Sequence, residues 1–554
     1  MANKESKNPF NNLPGCAADY IRLVVKKMRW RKKVRADVQA ELIAHFEDAL
    51  KDCKTNEEKE RAAKDLISNF GDAKTIGVLA RRAKKRCRPL WQKMMIRFWQ
   101  IVGITIALFA IYIGWFLSGR PVITTDYIEV ANKMMKPKAA DDSQNAAPYY
   151  EKAAKLIEPQ NEQSFEYLRK SFIEASEANI VQIRQWLEKN HEALNLIEQG
   201  TEKPYYWQTL QGEPKDNNSM LSVLMPSLGE CRTLAHGLRW RAYLSAEDKQ
   251  YEKAFADLLT IYKLGKHQRG KSTLVQSLVG TAIEALSMNT ARTILYRHDI
   301  GPQQLESFYN NLQVIVSNEN FIIDSSFEKL TEYDEIQRSF TEGHFGFEHI
   351  YLKRLFTFRD SLSPNDSHVL SITVQNLPAA FDVLFTHPDK QHSRQMTDAY
   401  YDFWGQAATE TPFELKGRDL EKETTALIKG NLLLKILAPA MQKVAVLSWR
   451  NKAEVEGTVA IIEILRFKQE KGRLPDDLQE LVTTGYLKSL PMDPYSDKPL
   501  IYKKTQDGFT YYSVGQDFID NGGKMGVDKD GKPSLWKSDD GDAVFWPVFQ
   551  NKTK

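Results

Sequence analysis

From Phe98 to Ser118 the chain reads FWQIVGITIALFAIYIGWFLS, with no charged side chain in the run. As a helix rising 1.5 Å per residue it extends about 30 Å, the thickness of a bilayer's hydrocarbon core. Trp99, Tyr112 and Trp115 lie near its ends, where aromatic rings favour the membrane–water interface. Upstream stand Arg81, Arg82, Lys84, Lys85, Arg86, Arg88, Lys93 and Arg97; downstream, Arg120 is soon followed by Asp126 and Glu129. This bias predicts a single membrane helix over 98–118, with residues 1–97 in the cytoplasm and everything after about residue 119 exported. The run is too long and too far from Met1 for a signal peptide, and the basic cluster beside it argues against a buried core helix.

The net charge of +4 conceals a split that follows the same boundary. Residues 1–97 carry roughly +12 and the remainder roughly −8, as expected of a chain sorted across a membrane. Apolar content of 42% and aromatic content of 11% exclude a disordered chain, so both sides should fold. Cys16, Cys53 and Cys87 fall on the reducing side and only Cys231 is exported, which leaves no disulfide pair outside. No cysteine spacing resembles a zinc site.

Residues 17–88 read as three or four short amphipathic helices. The clearest boundary is Asn69-Phe70-Gly71-Asp72, where Gly71 can end one helix and Asp72 can cap the next. RADVQAELIAHFEDAL (35–50) and NFGDAKTIGVLARR (69–82) resemble the helical prefix domains that precede membrane helices in bacterial permeases and signalling proteins. Residues 125–318 are strongly helical. LRWRAYLSAEDKQYEKAFADLLTIYKL (238–264) resembles a tetratricopeptide hairpin, with Trp240, Ala242 and Tyr243 on one helix and Tyr251, Ala254, Phe255 and Leu258 on the next. No clean 34-residue period runs through the region, so an irregular helical bundle or solenoid is expected. In 319–430, His344, His349, His368, His387 and His392 are scattered without a ligand spacing.

From Leu432 a long helix is predicted to Lys471, with Val455, Val459, Ile462 and Leu465 on one stripe and Gly472 as its stop. Residues 490–517 hold two strand-like runs around Asp507-Gly508, a hairpin signal. Three motifs come in order: Gly472-Arg473-Leu474-Pro475, Leu490-Pro491-Met492-Asp493-Pro494-Tyr495 and Tyr512-Ser513-Val514-Gly515-Gln516-Asp517. Asn521-Gly522-Gly523 and Gly541-Asp542-Ala543-Val544 follow. Together they resemble the type II secretion major pseudopilin and type IV pilin-like globular domains over about residues 432–547. At this module's start the family's leader, peptidase cleavage site and filament-forming apolar helix have no counterpart, and Lys435, Gln442, Lys443 and Arg450 interrupt the corresponding helix. The resemblance implies a fused domain and a calcium site in the last loop. Asp517 and Asp542 are its best carboxylates by position, the Val514 carbonyl a further donor, and Asp520 and Asp540 additional candidates. An EF-hand at Asp528-Lys529-Asp530-Gly531 is excluded, because Gly526 and Lys537 stand where carboxylates are needed.

Gly265-Lys266-His267-Gln268-Arg269-Gly270-Lys271-Ser272 fits the P-loop letters, but the segment before it has helical rather than strand spacing. His191-Glu192-Ala193-Leu194-Asn195 lacks the second histidine of a zinc protease. The predicted fold class is mainly α with a small α+β C-terminal module. Its parts are a basic helical domain (1–97), a membrane helix (98–118), an exported helical domain (119–430) and a pilin-like domain (431–554). The expected function is a non-enzymatic, membrane-anchored interaction protein of the bacterial cytoplasmic membrane, with protein partners outside and no nucleic acid or nucleotide. The alternatives are an exported hydrolase using paired carboxylates and a transmembrane signalling regulator.

Overall fold

The computed structural model describes residues 9–86, 90–157, 177–213, 218–223, 227–317, 319–342, 348–351, 354, 386–528, 531, 533–536 and 540–548. The chain forms two compact units, Met1–Trp115 and Phe116–Lys554. Among the described residues there are 19 α-helices and one small antiparallel sheet of three strands, the predicted fold class.

The first unit opens with four helices: α1 (Gly15–Lys27), α2 (Lys32–Ala49), α3 (Asn56–Phe70) and α4 (Ala73–Arg86). Ile21, Val24, Phe46, Leu50 and Ala63 form its core. Thr55 and Glu58 close a reciprocal capping box at the start of α3, satisfying donors that the first turn leaves open. The boundary read at Asn69–Asp72 holds. Gly71 ends α3 at φ +84°, and Asp72 accepts the Thr75 amide at 3.1 Å. The Gly71 carbonyl is held by the Tyr20 hydroxyl at 2.8 Å, which ties this turn to α1.

α5 (Leu90–Phe116) contains an 18-residue window of mean hydropathy 1.9, none of it buried, and is long and apolar enough to cross a membrane. It differs from the predicted 98–118 at both ends. Leu90–Arg97 joins the helix because Gln92, Lys93 and Arg97 are good helix formers whose long stems reach outward. The helix stops at Phe116 because Gly119, at φ +92°, and Pro121 divert the backbone.

The second unit has one large core running in sequence from Ala146 to Trp546 and smaller clusters beside it, one around Tyr127 and Trp207 and one around Tyr400 and Trp404. Its centre is a run of short-linked helices: α10 (Leu228–Glu247), α11 (Tyr251–Gln268), α12 (Leu274–Arg297) and α13 (Pro302–Val316), preceded by α6–α9 between Tyr127 and Thr201. The aromatics expected on a helical hairpin, Trp240, Tyr243 and Phe255, are core residues of α10 and α11. α11 and α12 cross where two glycines meet. A Cβ on Gly280 would lie 2.5 Å from the Gly265 carbonyl oxygen, an approach no larger residue permits. Gly265 to Gln268 are the last turn of α11, so the first half of the P-loop-like letters lies on a helix and does not follow a strand.

α14 (Ser326–Ser339), α15 (Lys390–Ala407) and α16 (Leu420–Leu427) follow. The long helix predicted from Leu432 is two helices, α17 (Leu432–Leu437) and α18 (Met441–Lys471). Pro439 explains the break: it has no N–H to donate, and it holds Ala438 extended at ψ 122°. Gly472 ends α18 in the left-handed conformation, φ +69°, as predicted. After α19 (Leu478–Thr483) come β1 (Ile501–Thr505), β2 (Gly508–Ser513) and β3 (Ala543–Trp546), in the order β1-β2-β3. Thr505 faces Gly508, so Gln506 and Asp507 make the hairpin loop and Gly508 opens β2.

α18 joins the helical run to the sheet. Buried Arg292 of α12 reaches Glu454 at 3.0 Å and Thr458 at 2.9 Å, and the Trp536 indole N–H donates to Glu454 at 2.7 Å. Arg269 binds Glu284 at 2.8 Å and also pairs with Glu319, while Asn451 of α18 donates to Glu284. Such pairs persist inside a core because each charge keeps a partner and further hydrogen bonds.

Candidate functional site

The last loop is pinned by a residue to which the motif reading gave no role. Asp493, 1% exposed, accepts the Ser513 hydroxyl at 2.7 Å, the Val514 amide at 2.9 Å and the Tyr495 amide at 3.0 Å. Val514 is thus fixed at the end of β2. Gly515 follows at φ +77°, packed so that a Cβ would come within 2.7 Å of the Gly541 carbonyl.

The structure brings Asp517, Asp520 and Asp542 into one turn and leaves Asp540 exposed at its edge. Asp542, fully buried, accepts the amides of Asn521 at 3.1 Å and Gly523 at 2.6 Å. Asp517 accepts from the Ile519 amide at 3.0 Å, the Asn521 side chain at 2.8 Å and the Gly541 amide at 3.3 Å. Asp520 accepts from the Tyr512 hydroxyl at 2.8 Å and the Gly522 amide at 2.9 Å, with Lys503 3.5 Å away. Burial pushes Asp542 above the usual carboxylate range, and the charges of Asp520 and Asp517 add to this against the two amides. Burial also raises Asp520, but Tyr512, Gly522 and Lys503 more than offset it and hold its carboxyl low. The donor chemistry suits a hard cation in kind, being carboxylate-rich. Among the described residues, however, no three His, Cys, Asp or Glu side chains converge as a metal cage, so an ion here would draw on carbonyl oxygens as well.

The same turn builds one wall of a cleft. Asp517 bridges across Phe518 to the Ile519 amide, an Asx turn that holds Phe518 at φ +60°. A left-handed conformation costs a bulky residue about 1–2 kcal/mol, so its surroundings must impose it. Phe518, Trp404, Trp449 and Tyr495 line the cleft, about 200 Å³ in volume, with Lys416 and Arg418 on it. The Lys416 ammonium lies 4.6 Å from the Phe518 ring centre, a cation–π distance. Arg418 is paired with Glu423 at 2.9 Å and Glu410 at 3.3 Å. Two anchors hold the aromatic walls. Trp449 donates to the Ala408 carbonyl at 3.2 Å, and Arg450 donates to the Tyr495 hydroxyl at 3.0 Å. Aromatic faces with cations suit a flat apolar group carrying negative charge.

Two further clefts have other characters. One of about 360 Å³ lies between α13, α18 and Leu487–Met492, with Glu456 as its lone carboxylate. Another, of about 840 Å³, is lined by Met396, Ala399, Lys429 and Lys435, with His392. Of the scattered histidines, those described serve separate roles: His349 stacks on Phe116 at 4.9 Å, and His387 accepts the Leu432 amide at 3.1 Å. His344 and His368 lie outside the described residues. Trp404, Trp449, Lys416 and Phe518 were not singled out by sequence. Their separation along the chain hides the cleft, and a backbone φ leaves no mark in residue types. No family model matches the chain, and no curated protein or solved structure matches it either.

Proposed function

We propose that the protein is a single-pass membrane-anchored interaction protein, with α5 as the anchor, the four helices before it cytoplasmic and the second unit exported. Its partner segment enters the cleft between Trp404, Trp449, Tyr495 and Phe518, presenting an aromatic or long apolar side chain beside an acidic group. The observation that carries this reading is Phe518, held left-handed by Asp517 at the cleft wall with Lys416 over its ring. Strain retained at a surface loop is expected where the side chain must be presented in one direction. The orientation follows from the lysine and arginine excess before α5. The hydrolase alternative asks for two carboxylates converging in a cleft. Glu410 and Glu456 each stand alone among the residues lining theirs, which favours binding.

The test uses the full chain in its own membranes. A photoreactive residue at Gln442, which lines the cleft, should give a discrete cross-linked product that Lys416→Glu abolishes. The same probe at exposed Lys253 should give none. Equal labelling at both positions sinks the cleft. A C-terminal reporter active in the cytosol sinks the orientation.

A second reading, favoured by the like charges gathered around Asp542, is that calcium stiffens the turn through Asp517 and Asp542, with the Val514 carbonyl. Thermal melts of the full chain with calcium and with chelator should then differ by several degrees, and Asp517→Asn should remove the difference. Identical melts retire the calcium site and leave the cleft standing.

A further inference from the structure

The first unit brings together two basic runs that the sequence keeps far apart. One is Lys26–Lys33 (KKMRWRKK), from the end of α1 through the turn into α2; the other is Arg81–Lys85 (RRAKK), near the end of α4. Gly77 makes the contact possible, since a Cβ there would already lie 3.0 Å from the Val24 carbonyl of α1. The Arg81 guanidinium then sits 4.8 Å from the centre of the Trp30 ring, in the middle of the first run. No Asp or Glu occurs between Tyr20 and Ala36 or between Ala73 and Lys93. Arg31, Lys32, Lys33, Arg82 and Lys85 are exposed, and Lys84 alone of this group is drawn aside, into an ion pair with Glu41. Just ahead of the two runs in sequence, Leu23 on α1 is 45% and Leu79 on α4 51% exposed. Exposed apolar side chains among unpaired cations are what a membrane interface accepts and water does not reward.

Position strengthens the case. Leu90 follows Arg86 by four residues, so the chain cannot carry the end of α4 more than about 15 Å from the start of α5. We propose that Lys26–Lys33 and the α4 cations form one patch that binds anionic phospholipid headgroups, docking the first unit on the leaflet from which α5 starts. This rests on α5 being a membrane anchor. Each cation near such a surface adds attraction, within a Debye length of about 10 Å, and the short tether keeps the patch within reach. A duplex nucleic acid offers the same charge sign, but it would have no need of Leu23, Leu79 or the tether.

The test reconstitutes the full chain in nanodiscs of phosphatidylcholine alone and of phosphatidylcholine with phosphatidylglycerol, and reads amide hydrogen exchange. With phosphatidylglycerol, the turn at residues 28–31 and the end of α4 should exchange at least about fivefold more slowly, and added salt should reverse this. Replacing Lys32, Lys33, Arg82 and Lys85 together by Gln should remove the protection while exchange within α3 stays unchanged, which certifies the fold. Equal exchange in both discs overturns the proposal, as does stronger protection by added duplex DNA or RNA than by the anionic lipid. A chain that elutes free of the discs shows that the anchor itself fails, and the patch with it.

Discussion

Replacing Gly280 by Ala should destabilise the second unit, although alanine is the better helix former. The added Cβ would sit 2.5 Å from both the Gly265 carbonyl oxygen and the Arg269 amide nitrogen. These are backbone atoms of a neighbouring helix and cannot turn aside as a side-chain tip can. Relief requires α11 and α12 to move apart, which also stretches the Arg269–Glu284 pair bridging them at 2.8 Å. Overpacking of this severity belongs at the upper end of the usual range, about 3 kcal/mol. Replacing glycine by alanine in a helix returns about 1 kcal/mol, leaving a net loss of about 2 kcal/mol. Gly405 in α15 supplies the matched control, being exposed with nothing within 4 Å of its Cβ position. There the same substitution should stabilise by up to about 1 kcal/mol. Urea unfolding of the full chain in mild detergent, followed by tryptophan fluorescence, reads both as shifts of midpoint in opposite directions. If Gly280→Ala unfolds at or above the parent midpoint, the close crossing does not exist. If Gly405→Ala falls equally, the loss has another origin.

Three further outcomes follow from the buried charges. Arg292→Met strands Glu454 in the core and should cost about 3–5 kcal/mol; adding Glu454→Met should recover most of it in the same urea assay. Glu332 is 2% exposed with no hydrogen-bond partner on either oxygen, and burial with Glu335 nearby pushes its pKa well above the usual carboxylate range. The folded state therefore holds a proton that the unfolded chain releases above about pH 4.5. Stability is full below that and falls as pH rises, so Glu332→Met should raise the unfolding midpoint at pH 8 more than at pH 4. His267 has the opposite sign. Burial depresses it from 6.5 to about 4, and the Tyr150 hydroxyl lies 2.7 Å from Nδ1. Its contribution is present above pH 6.5 and lost as pH falls toward 4, a loss that His267→Gln should flatten in melts between pH 7 and 4.

Signals confined to one segment were legible in the sequence. A membrane-length helix is written in a single uncharged run, and Gly71 and Gly472 marked helix ends because only the local backbone decides them. The Asp507-Gly508 hairpin was visible for the same reason, although its loop lies one residue earlier than the Asp-Gly pair. Pro439 carried its own message as well, but the strong apolar stripe that follows obscured the break. What joins distant segments was not readable. Gly265 and Gly280 look like two weak points in two helices until the helices cross. Asp493 looks like a turn residue until Ser513 and Val514 are seen to hang from it. Of the proposed calcium residues, position along the chain grouped Asp517, Asp520 and Asp542 and gave no sign that amide donors already occupy them. The cleft beside Phe518 draws on residues 404–518, a separation over which pattern carries no geometry.

The resemblance to pilin-like domains placed a boundary near residue 430, and the core raises a test of whether anything folds independently beyond it. A filament-forming helix keeps one apolar flank open for copies of itself. α18 has no such flank over Ala453–Ile464, where Ala453, Val455, Val459, Ala460, Ile461, Ile462 and Ile464 are all buried. A helix buried on nearly all sides, Glu454, Thr458 and Glu463 included, belongs inside a protein. Part of that cover is the sheet, with Phe545 packed so closely that a Cβ on Gly457 would lie 3.0 Å from it. The rest comes from α12 and α13, whose Arg292 reaches into α18. A chain beginning at Asn431 would therefore expose the flank that α12 and α13 cover and leave Glu454 without its arginine. Each large apolar side chain uncovered forfeits roughly 1.5–3 kcal/mol, so loss of a few exceeds the stability of an ordinary domain. Residues 431–554 made alone should aggregate or exchange their α18 amides within seconds, while residues 116–554 stay soluble and protected. A monomeric 431–554 fragment with a cooperative melt would show that the helix holds its fold without the helical run, and the shared core would then be a docking surface.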